Sequence, residues 1–234
     1  MDKSLLLGYF NRMNRLSSLF FMMLLYASSC FSFDIDIIDY PVLSQRKLDL
    51  MRDYAKRHYQ MDTYQLWQPK MIVIHYTALP TLRSTIKTFS RDEILPSRER
   101  IRMFGKTNVG AHYVIDYNGD IYNLVPTTVM VRHVIGFNHV AISIENVGSG
   151  HRILTREQLK ANTRLIRYLT FKYPSIEYVI GHIEYMMRNY GHFKYYKQHD
   201  KTYEPHTKID PGFEFMKKLR LSLKEDYQLD FKNK

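Results

Sequence analysis

Three stretches of this chain carry side chains able to hold a metal ion. In IVIHYT an aliphatic, β-branched run stops at His75. In YVIGHIEY a second apolar run stops at His182, after a glycine. In HTKIDPG, Asp210 stands before Pro-Gly and two residues beyond Lys208. Two imidazoles and a carboxylate, with a fourth position left open, form the donor set of a catalytic zinc site. A fourth stretch, VAISIEN, places Glu145 near the end of an apolar strand. Beside a metal-activated water such a carboxylate can serve as general base.

Each residue alone also has a plainer reading. A strand-end histidine can be a hydrogen-bonded core group, and a single glutamate can be a cap or a solvated charge. His192, His199 and His206 fall between His182 and Asp210 and could displace a ligand. His206 is the nearest rival, because in an extended segment His206, Lys208 and Asp210 project to the same side.

The elements that must position these groups are legible from pattern. Residues 31–45 read as an extended leader. Residues 46–60 read as a helix, with Leu48, Met51 and Tyr54 or Ala55 on one face. The run 71–76 is a buried strand, 81–95 a helix or loop-helix, and 96–110 a charged loop. Residues 111–125 form a hairpin about Asn118-Gly119, whose two residues tolerate positive φ. Residues 140–146 form a strand, and Thr155 with Gln158 makes a capping box for a helix to about 173. Its inner face carries Leu159, Asn162, Ile166, Leu169 and Tyr173. A short strand at 177–180 and a helix at 213–225 complete the pattern. The tyrosine- and histidine-rich stretch 185–207 has no period and reads as an ordered insertion. Strands and helices alternate, yet a hairpin interrupts them, which predicts a mixed sheet.

The motifs VIHYTA, GAHYVIDYNGDIYNLV, NHVAISIENVG, VIGH and KIDPG, in this order across roughly residues 70–216, resemble the zinc-dependent N-acetylmuramoyl-L-alanine amidases of the type-2 family, relatives of the peptidoglycan-recognition proteins. The resemblance implies an α/β fold, a single domain with a central mixed β-sheet flanked by helices. It implies zinc held by His75, His182 and Asp210, with Glu145 deprotonating the bound water and Lys208 stabilising the oxyanion. His112, His133 and Asn138 match positions that line the sheet or pocket, where substrate contact is expected. The implied substrate is peptidoglycan or its muropeptides, cut between N-acetylmuramic acid and L-alanine. Relatives that only bind peptidoglycan usually lack a metal ligand, and here all three matching positions are retained. The chain departs from the pattern by having Tyr76 after His75, and by the 185–207 insertion.

Composition sets the bounds. The chain has 234 residues, 45% of them hydrophobic and 19 of them tyrosine, which excludes wholesale disorder and suits one core. A net charge of +11 favours anionic partners, but no nucleic-acid motif accompanies it, so no nucleic acid is expected. Lys3, Arg12 and Arg15 precede an apolar stretch at 16–26 and then ASSC, the layout of a signal peptide over 1–29. The sole cysteine, Cys30, stands where a lipoprotein leader places its lipidated residue, giving possible membrane attachment; cleavage after Ser29 is the alternative. The expected organisation is a leader (1–29), an extension with a helix (30–69), a catalytic domain (70–226) and a tail (227–234). The product is expected to be exported, as a periplasmic or membrane-anchored lipoprotein, and monomeric. Trp67 reads as a packing anchor.

Overall fold

The computed structural model describes residues 35–148 and 154–231. The expected signal peptide (1–29) and Cys30 lie outside the described residues. No described helix is long and apolar enough to cross a membrane.

Six strands form one sheet: β1 (Ile37–Asp39), β2 (Met71–Tyr76), β3 (Tyr113–Ile115), β4 (Ile121–Asn123), β5 (Ala141–Asn146) and β6 (Tyr178–Gly181). Their order is β1-β4-β3-β5-β2-β6, and only β3 and β4 pair antiparallel. The other four pairings are parallel. The mixed sheet expected from the interrupted alternation is therefore present. β2 lies between β5 and β6, and Met71 through Ile74 are fully buried, which accounts for its unbroken apolar sequence.

Among the described residues five α-helices accompany the sheet: α1 (Gln45–Tyr59), α2 (Leu82–Phe89), α3 (Glu99–Arg102), α4 (Arg156–Lys172) and α5 (Phe213–Tyr227). Ser44, Thr81 and Thr155 cap α1, α2 and α4 by accepting backbone N–H groups, and Thr155 with Gln158 completes the expected box. α4 and α5 pack together. Helix α1 lies ahead of the expected catalytic domain, yet it shares the main core: Met51, Tyr54, Ala55 and Tyr59 cluster with Ile72, Phe137 and Ile142.

The hairpin closes with a three-residue loop, because Asp116 N–H still donates to Asp120 O at 2.9 Å. Gly119 at φ +91° supplies the left-handed residue such a loop needs. The expected leader at 31–45 contains β1. Three residues with no apolar alternation carry no strand signal, and only pairing with β4 makes them one. Likewise α3, within the expected loop 96–110, is a single turn.

Candidate metal centre

β2 and β5 are paired so that His75 lies opposite Glu145. Both side chains therefore leave the same face of the sheet, at its carboxyl edge. Asn146 Nδ2 donates to the His75 carbonyl at 3.0 Å, and Asn162 of α4 donates to Asn146 Oδ1 at 2.7 Å. These bonds hold the strand end in place.

His182 begins a 3₁₀ turn directly after β6. Gly181 is required there: a Cβ would meet Met216 and Pro211 at 2.9 Å each. The turn's Ile183 N–H donates to the Asp210 carbonyl at 2.7 Å. That bond closes the insertion and brings Asp210 beside His182.

The three candidate ligand atoms converge. His75 Nδ1 lies 3.0 Å from His182 Nδ1 and 3.3 Å from Asp210 Oδ2, and His182 Nδ1 lies 3.1 Å from the same oxygen. Zinc bonds of about 2.0–2.1 Å in tetrahedral array separate ligand atoms by roughly 3.3 Å, so two nitrogens and one oxygen at these spacings fit the ion. No other such group occurs among the described residues.

Electrostatics agree with that use. Burial alone would raise the Asp210 carboxyl, but bonds to His182 and His75 hold it far below the usual carboxylate range. Burial, with His75 adding, lowers His182 to about 4, which keeps its imidazole neutral and able to ligate. Burial pushes Glu145 up to about 7 against the pull of His75, with Asp210 adding to the rise and Lys208 opposing it. Glu145 Oε2 is buried and finds no hydrogen-bond partner among the described residues. Burial lowers the Lys208 ammonium, and Asp210 draws it back.

A family model of N-acetylmuramoyl-L-alanine amidases matches residues 65–213, about two thirds of the chain. The chain belongs to this type-2 amidase family. Comparison with curated protein sequences gave no match. Among solved structures, the amidase-family chain is similar to a selenomethionine AmpD derivative. That likeness has 20% identity, covers 80% of this chain and 94% of the other, and gives a TM-score of 0.52. It is also similar to the amidase LysC from Clostridium intestinale URNW, at 22% identity over 63% and 83% of the two chains, with a TM-score of 0.40. Peptidoglycan recognition protein-LE in complex with tracheal cytotoxin matches at 18% identity over 51% and 72%, with a TM-score of 0.42. The AmpD likeness supports the fold.

Beside His182 in this amidase-family chain lies a cavity of about 130 Å³, with Arg98, His133, Tyr203, His206 and Lys208 also in its wall. His206 is exposed in that wall, outside the ligand cluster. His192 is buried beside the Tyr185 carbonyl, and the His199 backbone bonds to His58. Neither joins the ligands.

Two expected substrate contacts have inward-facing roles. His112 is fully buried: its Nε2 donates to Val129 O at 2.8 Å, and its Nδ1 accepts from Ser143 N at 2.9 Å. Asn138 is fully buried too, accepting from the backbone of His133 and Val134 and donating to Tyr59 Oη. His133 turns Nδ1 to within 3.0 Å of His75 Nε2. Trp67, expected as an anchor, is 73% exposed. Arg98 and Tyr203 escaped the sequence reading because a charged loop and an aperiodic insertion carry no motif.

Proposed function

We propose that this chain is a zinc-dependent N-acetylmuramoyl-L-alanine amidase. It hydrolyses the amide between the lactyl group of N-acetylmuramic acid and L-alanine in peptidoglycan or muropeptides. The observation that carries the reading is the convergence of His75, His182 and Asp210 on a sheet edge where Glu145 lies opposite His75 and keeps Oε2 without a hydrogen-bond partner among the described residues. Family membership supplies the substrate class.

When bound, zinc supplies the Lewis acidity that polarises a carbonyl and acidifies water. The protein groups do the rest. Glu145 accepts the proton of the attacking water and returns it to the alanine nitrogen as the C–N bond breaks. Lys208, half-buried near Asp210 and Glu145, meets the negative charge that develops on the attacked carbonyl oxygen.

The test is metal analysis of purified protein, together with release of stem peptides from sacculi and from soluble muropeptides. One zinc per chain and peptide release are expected. Zinc and release should both be lost in His75→Ala, His182→Ala and Asp210→Ala, while His206→Ala keeps its zinc. Zinc-loaded wild-type protein that binds sacculi but releases no peptide would make it a binding module instead. The proposal extends to location: export through the leader, with Cys30 as a lipid attachment point. Cys30→Ser should move the protein from membranes to the soluble fraction; equal partitioning of both forms overturns that part.

A further inference from the structure

His75 offers Nδ1 toward His182 and Asp210, so a metal there takes the Nδ1 lone pair and the ring proton must sit on Nε2. A buried N–H needs an acceptor. His75 is 2% exposed, and the atom facing its Nε2, at 3.0 Å, is His133 Nδ1. The two rings meet edge to face, with centroids 5.1 Å apart at 80°.

His133 is held for this contact. Its own N–H and that of Val134 both donate to Asn138 Oδ1, at 2.9 and 2.8 Å. Asn138 Nδ2 donates in turn to Tyr59 Oη of α1 at 2.9 Å. The same turn is fixed from the insertion side. Lys197 N–H donates to Gly136 O, and the Tyr196 ring occupies the space a Cβ at Gly136 would need.

We infer that His133 is a positioning residue for the metal centre: its Nδ1 accepts the His75 Nε2 proton, fixing the ligating tautomer and the ring angle, while its own proton sits on Nε2, with the Ala141 backbone beside the ring. The inference rests on the proposed metal site. Histidine ligands usually donate their second N–H to a carboxylate, a backbone carbonyl or water. A neutral imidazole is a weaker acceptor than a carboxylate. It orients His75 without adding negative charge, so Asp210 stays the one anionic ligand.

Zinc affinity, read by competition with a chromophoric chelator, tests this directly. His133→Ala and His133→Phe should weaken zinc binding by about 10- to 100-fold, the usual effect of losing such a partner. His133→Asn, whose Oδ1 can stand near the lost Nδ1, should recover to within a few-fold of wild type. ¹⁵N NMR of the zinc-loaded wild type should show the His75 proton on Nε2 and His133 Nδ1 free of a proton. Wild-type affinity in the alanine variant, an asparagine variant as weak as phenylalanine, or a proton on His133 Nδ1 in the zinc-loaded protein overturns the inference. If circular dichroism shows the alanine and phenylalanine variants unfolded, the NMR tautomer and the asparagine variant decide. Wild-type protein with this zinc dependence but no peptide release would sink the proposed hydrolysis and leave the positioning role intact. Wild-type protein that takes up no zinc removes both.

Discussion

Glu145 shows how much of this site is a matter of single residues. Its immediate neighbours in β5, Ile144 and Asn146, are buried and respectively apolar and hydrogen-bonded, and its own Oε2 has no partner among the described residues. A buried carboxylate oxygen without a hydrogen bond costs stability, a cost that catalytic work at this position would explain. With its carboxyl pushed up to about 7 by burial, it can both take and return a proton near neutrality. Glu145→Gln keeps the shape and removes the basicity. It should retain one zinc and lose about 10²- to 10⁴-fold in kcat, read from muropeptide turnover alongside metal content. Turnover near wild type would leave Glu145 a packing residue. Its charge and its strand were legible in VAISIEN; its pairing opposite His75 was not, because register across a sheet depends on partners distant in sequence.

At the scale of elements, α4 reaches the metal centre through two asparagines. Asn162 was expected on the buried face of the helix. Its polar side chain is accommodated because it donates to Asn146, which donates to the His75 carbonyl. Asn162→Ala leaves Asn146 Oδ1 buried without its donor. The expected cost is about 1–3 kcal/mol, measured by urea unfolding of the metal-free protein, with secondary structure unchanged. A loss below about 0.5 kcal/mol, typical of an inert surface site, would remove Asn162 from the scaffold. The insertion divides in two. Lys194 and Tyr195 bond to Glu177, just before the start of β6, whereas His182 follows that strand's end. Tyr203 and His206 line the cavity, and Arg132 ties Tyr203 to the 101–107 loop. Replacing Lys194 and Tyr195 together by alanine should leave KM for sacculi unchanged. A several-fold rise would mean that substrate extends around to that end of the sheet.

For the whole molecule, buried histidines make stability depend on pH. Burial lowers His112 and His182 to about 4, from 6.5. Between those values the unfolded chain takes up protons that the folded chain refuses, so stability falls as pH falls. Glu145 acts oppositely. Its folded carboxyl, at about 7 against 4.5, keeps a proton that the unfolded chain has lost, so it adds stability as pH falls through that window. Two histidines against one glutamate leave a net uptake of about one proton on unfolding, or roughly 1.4 kcal/mol per pH unit between pH 6 and 5. His58, His133, His139 and His192 are also lowered by burial and push the same way. In the metal-free protein the urea midpoint should therefore be lower at pH 5 than at pH 7. A higher midpoint at pH 5 contradicts the burial of these rings. Zinc should steepen the dependence, because its imidazole and carboxylate ligands must be free of protons to bind.

Local pattern was enough for β2, α4 and the hairpin. A buried strand, a capped amphipathic helix and an Asn-Gly turn are each written in contiguous residues whose spacing follows the geometry of the element. The ligand candidates were visible for the same reason, as polar residues ending apolar runs. Choosing among them was not local. Asp210 stands beside His182 through the bond from Ile183 to the Asp210 carbonyl, and no spacing rule announces a contact across an aperiodic insertion. His133 and Asn138 match pocket positions in sequence, but their bonds to His75 and Tyr59 exist only after β2, α1 and the 133–138 turn are packed together. Sequence determined which side chains could serve and which elements carry them. Which atoms face one another was decided by tertiary packing, because a hydrogen bond or a metal ligand depends on distances of about 3 Å between residues a hundred positions apart.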